Sequence, residues 1–290
     1  LAQQWLVSHI EPWWNKRFID DSYANRKNKG VQTAINRLQH FMRQPGHRWY
    51  CKLDIRAFFA SIDRKVLLQL WHNTLPKLPY NIKTRNQLNQ VTLAILQQNP
   101  TEPAPFRSGH RHLLAKIPPH KSLYHARPGI GMPIGSLTSQ FFANVYLNEL
   151  DQFIKHTLKI KGFLRYVDDF IILGDNPQTL NKQRKAIQHF LLTHLKLELH
   201  PNKTVMQRCN QGADFLGSIV FPSHRLSRQR SVRALRRRLA WFNWLIYPKT
   251  ARQVPRPPFG TWHRWLANHQ VLLASGVPSP ALLQRILATI

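Results

Sequence analysis

Apolar residues recur at helical spacing along much of the chain. In the first stretch Leu6, Ile10 and Trp14 fall on one side of a predicted helix. Similar patterns predict helices over residues 1–18, 31–41, 64–72, 138–155 and 179–195. Between the first two helices, residues 21–30 are polar and basic, which predicts a loop.

Shorter apolar runs predict strands over residues 49–55, 164–167, 170–173 and 215–221. Only Asp168 and Asp169 separate the second run from the third, which is the pattern of a hairpin. In chain order the central elements are strand, helix, helix, hairpin, helix and strand. This order is close to a split βαβ, or ferredoxin-like, sheet and predicts an α+β fold.

Two segments lack such regular patterns. Residues 100–133 are rich in Pro, Gly, His and Arg and predict a long basic loop or an irregular subdomain. From residue 231 to the end, basic and Trp-rich helical stretches alternate, and they are broken at Pro248 and over residues 255–258.

The charge of the chain favours a polyanionic partner. Its 290 residues carry 42 Lys and Arg against 13 Asp and Glu, a formal net charge of +29. Residues 103–148 contain no acid, and none follows Asp214. Such a field attracts nucleic acid or an anionic membrane surface. Since no apolar run approaches the roughly 18–20 residues of a membrane span, nucleic acid is the better match.

Other features of the composition bound the context. Cys51 and Cys209 are the only cysteines, so neither a disulfide framework nor a thiolate zinc site is indicated. No secretory signal is visible, and a reducing cytoplasm is the expected location. The sequence begins at Leu1 rather than Met, inside a helical pattern, as a fragment would.

The adjacent Asp168 and Asp169 lie in an apolar, strand-forming run of a chain poor in acid. Burying an ionised carboxylate costs several kcal/mol unless a positively charged partner compensates. A divalent metal ion is the natural candidate for that partner. Asp54 ends another predicted strand, so the three carboxylates are expected to meet at one sheet edge. Two cations held there about 3.5–4 Å apart would suit two-metal phosphoryl transfer. The dipeptide alone is more typical of a simple hairpin turn.

The residues around these carboxylates resemble the motifs of reverse transcriptases. Residues 165–173, Arg-Tyr-Val-Asp-Asp-Phe-Ile-Ile-Leu, resemble the catalytic hairpin of that family. Residues 53–59, Leu-Asp-Ile-Arg-Ala-Phe-Phe, resemble its first metal-binding motif. Residues 197–204 resemble its lysine-bearing strand, and Phe215-Leu216-Gly217 resembles its primer grip. The motifs follow the family order over about residues 18–222.

Two further motifs point to one branch of the family. Ile134-Gly135 stands where most reverse transcriptases have Gln-Gly, and Ser139-Gln140 where most have Ser-Pro. This version is similar to the enzymes of diversity-generating retroelements. Residues 21–26, Asp-Ser-Tyr-Ala-Asn-Arg, resemble the fingers motif of that branch and of its group II intron relatives.

The resemblance implies a metal site and a proton donor. Asp54 and Asp168 would ligate two Mg²⁺ ions, which Mn²⁺ could replace. The Ile55 carbonyl would add an oxygen ligand, and Asp169 would support the site. Lys203 would be the general acid for the pyrophosphate, with a lysine that only contacts phosphate as the alternative.

The resemblance also implies a nucleotide pocket. Phe59 would exclude a ribose 2′-hydroxyl, unless it is a core aromatic like its neighbour Phe58. Ile134 and Gly135 would pack near the incoming nucleotide and the template base. Because Ile lacks the donors and acceptors of Gln, a loss of specificity is expected, and the resemblance implies that the errors are frequent at template adenines. Arg26 would contact a template or nucleotide phosphate, unless it is an ordinary solvated arginine.

The implied architecture is a right-hand polymerase with partial fingers, a ferredoxin-like palm and a basic helical thumb. The fingers would comprise residues 1–48 and 76–130, the palm with the catalytic site residues 49–75 and 131–222, and the thumb residues 223–290. The expected N-terminal fingers segment, with its triphosphate-contacting Lys or Arg, is not in this sequence.

The leading hypothesis is the RNA-directed DNA polymerase of a diversity-generating retroelement, encoded by a bacterium, archaeon or phage. Its partners would be template RNA, primer, cDNA, dNTPs and a basic, helical, oligomeric accessory protein, with no membrane. One alternative is a group II intron or other bacterial reverse transcriptase, against which Ile134 and Gln140 argue. The other is a non-catalytic nucleic-acid-binding protein derived from a polymerase, which the intact Asp54, Asp168 and Asp169 disfavour.

Overall fold

The computed structural model of the protein describes residues 1–102 and 117–246. It divides into two compact units. Of the described residues, the larger unit comprises 1–102, 117–216 and 220–224, and the smaller one comprises 217–219 and 225–246. The described helices are α1 (Ala2–Asn15), α2 (Val31–Met42), α3 (Phe58–Ser61), α4 (Arg64–Thr74), α5 (Ile82–Gln97), α6 (Leu137–Gln152), α7 (Pro177–His194) and α8 (Gln229–Ile246).

A four-stranded antiparallel sheet forms the centre of the larger unit. Its strands are β1 (Trp49–Asp54), β2 (Gly162–Tyr166), β3 (Asp169–Gly174) and β4 (Val205–Arg208). They are ordered β2-β3-β1-β4, and each neighbouring pair is antiparallel. With helices between β1 and β2 and between β3 and β4, this is the split βαβ arrangement that the sequence predicts.

Helices cover both faces of this sheet. Because successive strand residues point to opposite faces, Cys51 and Leu53 join a core with helices α1 and α4–α7. Tyr50 joins a second core, formed on the other face with Ala34 and Leu38 of α2. The sheet is therefore buried between two layers, and its strand ends are left for other groups.

Local signals fix the ends of several helices. Asn176 caps α7, because its side chain accepts hydrogen bonds from the backbone N–H of Gln178 and Thr179. Asp63 caps α4 in the same way through Lys65. Helix α6 passes through the core and is buried along most of its length, and it ends in a π-helical turn, Phe153–Thr157.

The structure departs from the sequence prediction at several elements. The fourth strand of the central sheet is β4, which was not predicted, and not the strand predicted over residues 215–221. The short helix α3 was not predicted either. Helix α5 was not predicted, since its buried residues Leu88, Thr92 and Leu96 include a threonine among polar neighbours. The single strand predicted over residues 215–221 is wrong. The chain instead forms β5 (Ala213–Phe215) and β6 (Ser218–Val220), separated at Leu216 and Gly217 by two positive φ angles, and β7 (Arg225–Ser227) follows.

The predicted irregular segment over residues 100–133 lies partly outside the described residues. Its described part contains two short 3₁₀ helices, Pro119–Lys121 and Leu123–His125. The predicted tail helices beyond residue 246 also lie outside them. Of the helices that are described, none combines the length and the apolar character needed to cross a membrane.

Candidate active site

The hairpin that carries the two acids turns at Val167 and Asp168. Asp169 is already the first residue of β3, so the two carboxylates occupy different backbone environments. Val167 has a φ of 56°, which is strained for a β-branched residue. Such a conformation persists only where the surrounding structure holds it.

Arg165 holds this turn from beneath. Its side chain is fully buried, and it donates to the Val167 carbonyl over 3.0 Å. Two further donors reach the carboxylate of Asp151 at 2.8 and 2.6 Å, and others reach Asn144 at 3.2 Å and the Ser22 hydroxyl at 3.1 Å. Sequence reasoning named Arg165 and Ser22 only as members of motifs and gave Asp151 and Asn144 no role, although an acid inside the apolar run of α6 is a signal of a buried partner.

The loop before α2 is fixed to the same hairpin. The backbone N–H of Arg165 donates to the Asp21 carbonyl, and that of Tyr23 donates to the Arg165 carbonyl. Ser22 thereby forms a parallel bridge with Arg165 at the free edge of β2. The buried Asp21 carboxylate pairs with Arg37 at 2.8 Å and with Lys155 at 3.2 Å. The fingers-like motif of residues 21–26 is thus part of the support of the hairpin.

Asp54 meets the hairpin from β1. In the β1–β3 ladder Asp54 lies directly opposite Asp169. The next backbone N–H, that of Ile55, donates to the Asp168 carbonyl over 3.3 Å. The structure therefore brings Asp54, Asp168, Asp169 and the backbone of Ile55 to one edge of the sheet, as the sequence predicts.

Lys203 lies over this edge. Leu199 forms an antiparallel bridge with Ile55, and the N–H of His200 donates to the Asp54 carbonyl over 2.7 Å. The turn after His200 then brings Lys203 back, so that its Nζ lies 2.8 Å from Oδ2 of Asp54. About half of the Lys203 side chain is exposed, at 52%. The Lys203 ammonium group is therefore accessible to an anion other than the Asp54 carboxylate.

A second lysine, Lys52, occupies the site, and sequence reasoning missed it. Its Nζ lies 3.2 Å from Oδ2 of Asp169 and donates to the Asp214 carbonyl over 2.9 Å. Lys52 is two residues before Asp54 on β1, so both side chains point to the same face. That period was available in the sequence as a signal.

The electrostatics of the two hairpin acids are unfavourable for ionisation. Burial raises the pKa of Asp169 to about 6, against the opposing effect of Lys52. Burial also raises the pKa of Asp168, and the charge of Asp54 adds to that shift. Oδ1 of Asp169 is buried and has no hydrogen-bond partner among the described residues. Each of these features would be relieved by a cation.

The donor set fits hard divalent cations, which prefer carboxylate and carbonyl oxygens. In this conformation, no group of three or more His, Cys, Asp or Glu side chains within the described ranges is arranged around a single metal position. Lysine ammonium groups contact Asp54 and Asp169 instead. The positive charge is thus supplied by Lys203 and Lys52, and both would have to yield carboxylate oxygens to a metal ion.

Phe59 and the segment around Gly131 are joined by backbone hydrogen bonds. Phe59, in α3, is partly buried next to the fully packed Phe58. Its carbonyl accepts a hydrogen bond from the Met132 N–H over 2.7 Å. Glycine at 131 suits this approach, because its φ of 89° is one that side chains disfavour and a Cβ there would lie 3.2 Å from the backbone oxygen of Ala60. Ile134 and Gly135 follow Met132 by two and three residues.

Ile134 and Gly135 form an exposed corner before α6. Ile134 is 80% exposed, which is unusual for a large apolar side chain. Gly135 has a φ of 96°, a conformation that side chains disfavour. Ser136 then caps α6 through the Ser139 N–H. The corner thus presents an apolar side chain outward on a defined turn.

The remaining predicted residues have structural partners. Arg26 donates to the carbonyls of Ile19 and Ser22 at 2.7 and 2.9 Å, and burial lowers its pKa. Phe215 is fully buried at the end of β5. Leu216 and Gly217 follow with φ of 48° and 95°. In this conformation Arg26 therefore ties its own loop together, and the Phe215 ring belongs to the second core.

Comparison with known proteins identifies the family. The model for reverse transcriptase (RNA-dependent DNA polymerase) matches residues 1–220. The chain therefore belongs to the reverse transcriptase family. Among curated proteins it is similar to the group II intron-encoded protein LtrA of Lactococcus lactis subsp. cremoris and to LtrA of strain MG1363, with 21% identity to each. The match covers 75% of this chain but only 42% of each relative, so the chain spans less than half their length.

Solved structures show the same fold. Apo telomerase from Candida tropicalis superposes with a TM-score of 0.53 at 13% identity, over 78% of this chain and 40% of that one. Its form truncated from the C-terminal domain gives 0.53 at 14% identity, over 78% and 45%. The expected α+β polymerase fold is therefore confirmed.

Proposed function

We propose that this chain catalyses RNA-templated DNA synthesis by two-metal phosphoryl transfer, as the polymerase of a diversity-generating retroelement. The observation that carries the proposal is the convergence of Asp54, Asp168 and Asp169 at one sheet edge, with a buried, unpartnered Oδ1 on Asp169. In a family whose members copy RNA into DNA, that arrangement is what a metal-dependent polymerase site requires.

Asp54 and Asp168 hold the metals in this proposal, with the Ile55 carbonyl as a further oxygen ligand and Asp169 as support. Two bound Mg²⁺ ions, or Mn²⁺ in their place, would neutralise the charge that develops on the primer 3′-oxygen and on the leaving pyrophosphate. The 3′-oxygen forms a bond to the α-phosphorus as the bond to pyrophosphate breaks. The Asp169 side chain is 22% exposed, and its raised pKa shows that this site lacks positive charge.

Lys203 is the proposed proton donor to the pyrophosphate. Its Nζ rests 2.8 Å from Asp54 in the absence of substrate, and half of its side chain is exposed. A metal on Asp54 would compete with the ammonium for the same oxygen. Lys203 would then be free to reach the leaving group, which needs a proton from a nearby acid.

The nucleotide would lie against Phe59, with Ile134 and Gly135 next to the templating base. Phe59 is the proposed barrier to a 2′-hydroxyl, which favours dNTPs over ribonucleotides. The exposure of Ile134 supports a role outside the core. An isoleucine side chain can contact the base pair through its shape but cannot form hydrogen bonds with it. A pocket without hydrogen-bond discrimination tolerates wrong pairs. We propose Arg26 as a phosphate contact that forms once its loop opens.

The proposed domains follow the resemblance. Fingers comprise residues 1–48 and 76–130, the palm residues 49–75 and 131–222, and the thumb residues 223–290. Helix α8 at the start of the thumb carries no acid and has a row of arginines, Arg230, Arg233, Arg236, Arg237 and Arg238. We propose that they grip the phosphates of an RNA–DNA duplex, and that Phe215-Leu216-Gly217 is the primer grip. The accessory protein expected in this branch is part of the proposal.

A second candidate is a group II intron-type reverse transcriptase. The observation in its favour is the similarity to LtrA, a group II intron-encoded protein. Ile134 and Gln140 favour the retroelement branch, in which errors concentrate at template adenines. The two candidates share the chemistry and differ in fidelity.

Primer extension on an RNA template with Mg²⁺ and dNTPs, followed by product sequencing, tests both. Substitutions concentrated opposite template adenines are expected from the retroelement enzyme. Uniformly accurate cDNA would favour the intron-type candidate. If a chain that includes any missing N-terminal segment, supplied with RNA and accessory protein, makes no product, the polymerase proposal is wrong.

A further inference from the structure

An open cleft of about 850 Å³ lies at the end of the sheet that is remote from the three carboxylates. The loop before β1, the start of β1 and the segment after β4 form its walls. Trp49 lines the cleft and begins β1, whereas Asp54 ends that strand. At about 3.4 Å per residue, five steps along the strand separate the two regions by roughly 17 Å. All lining residues belong to the larger unit.

The lining is rich in exposed arginine. Arg43, Arg48 and Arg208 contribute guanidinium groups, and His47 adds an imidazole. Asp175 is the single carboxylate among the described lining residues, and Arg48 binds it through both Nε and Nη2. Nε of Arg43 donates to the Pro222 carbonyl over 2.6 Å, which holds the side chain in the cleft. Neither Arg43 nor Arg208 has a carboxylate partner within the described parts of the chain. The charges of these two arginines are therefore not neutralised by an acid there.

An aromatic surface accompanies these charges. The guanidinium carbon of Arg208 lies 5.4 Å from the centre of the Trp49 ring, and Trp49 itself is only partly buried. An unstacked nucleic-acid base packs well on an indole face or on a guanidinium plane. Duplex backbones present phosphates without such a base, and acidic peptides make no use of an aromatic platform.

We propose that this cleft, lined by Arg43, Arg48, Trp49 and Arg208, is a second nucleic-acid site that binds single-stranded RNA. Phosphates lie on Arg43 and Arg208, and one unstacked base packs against Trp49 and the Arg208 plane. The proposal rests on the proposed function only in naming RNA as the nucleic acid. Since the cleft is at the far end of β1, it holds RNA outside the segment being copied.

A charge-reversal pair tests the site directly. Arg43→Glu with Arg208→Glu is compared with a control, Lys83→Glu with Lys185→Glu, which makes the same change in net charge at exposed positions on α5 and α7. Affinity for a labelled single-stranded RNA of about 12 nucleotides is measured by fluorescence anisotropy without metal or dNTPs. We expect the cleft pair to weaken binding at least about tenfold more than the control, and to lower the salt slope by about 1.4, for two lost phosphate contacts.

Competition with two other anions shows whether the cleft is specific for RNA. A mononucleotide that displaces the RNA at an equal concentration of phosphate would identify a nucleotide site instead, and would overturn the proposal. Displacement by polyglutamate at equal charge would point to an acidic protein partner and overturn it as well. Equal RNA affinity of the cleft pair and the control pair would also refute it.

Cross-linking of the unmodified protein keeps the test independent of how the variants fold. An RNA carrying 4-thiouridine is irradiated in the complex, and the protein is digested and mapped. The cleft predicts cross-links to peptides that contain Trp49 or Arg208, and their absence contradicts it. Primer extension by the same preparation reports on the proposed function separately, because RNA binding in the cleft requires neither metal nor dNTPs.

Discussion

Nζ of Lys52 lies 3.2 Å from Oδ2 of Asp169, inside a site whose acids are short of positive charge. The other oxygen of Asp169 is buried without a hydrogen-bond partner among the described residues. Only one of the two carboxylate oxygens thus has a cationic partner, although burial disfavours the ionised form of the group. We therefore expect the ionised Asp169 to lower the free energy of unfolding of the metal-free protein by a measurable amount.

That cost predicts a pH dependence of stability. Burial raises the pKa of Asp169 to about 6, well above that of a solvated aspartate, so the folded state binds the proton more tightly than the unfolded chain. The contribution of this protonation to the free energy of unfolding is complete below about pH 4. It is lost as the pH rises through about 6, and the loss amounts to up to about 3 kcal/mol. Urea unfolding in EDTA between pH 4 and 7 measures it. Subtracting the free energy of unfolding of Asp169→Asn from that of the wild type at each pH removes the contributions of the other titrating groups. A difference that does not change with pH would contradict this account.

The buried Arg165–Asp151 pair predicts a strong and asymmetric effect on stability. Both side chains are fully buried, and Arg165 also holds the strained Val167 turn. Arg165→Met leaves the Asp151 carboxylate unpaired and should lower the free energy of unfolding by about 3–5 kcal/mol. The double variant with Asp151→Leu should recover a large part of that loss. A double-mutant cycle by chemical denaturation makes the comparison, and additive losses would show that the two side chains are not coupled.

The exposed Ile134 predicts an effect on fidelity alone. Restoring the polar side chain with Ile134→Gln should lower misincorporation opposite template adenines by about tenfold, because hydrogen bonds would again discriminate between base pairs. Ile82→Gln is the matched control, since Ile82 on α5 is 78% exposed. Sequencing of extension products measures both variants. An unchanged error spectrum for Ile134→Gln would remove Ile134 from the nucleotide pocket.

Much of the site was predictable because strand ends and hairpins have short-range signals. Asp54 and Asp169 each adjoin an apolar run, and antiparallel pairing of those runs makes the two residues meet. Lys52 was equally readable from the two-residue period of β1 and was overlooked. Arg165 was not readable in the same way, since one arginine in a chain with 42 Lys and Arg gives no indication of complete burial.

The elements that sequence reasoning missed depend on tertiary packing. Helix α5 buries Leu88, Thr92 and Leu96, and its polar neighbours conceal the helical period. The break between β5 and β6 depends on a positive φ at Leu216, which leucine rarely adopts without support from surrounding structure. Pairing of the hairpin with Ser22 spans more than 140 residues of sequence, so local patterns carry no sign of it.

The central claim is that Asp54, Asp168 and Asp169 form the metal-dependent centre of a polymerase. Extension of a primer on an RNA template with Mg²⁺ and dNTPs is compared for the wild type, Asp168→Asn and the control Glu102→Gln, which neutralises an exposed carboxylate. Binding of the same RNA is measured in parallel. The account predicts that Asp168→Asn abolishes synthesis and retains RNA binding, while the control extends normally. Synthesis by Asp168→Asn at the wild-type rate would contradict it.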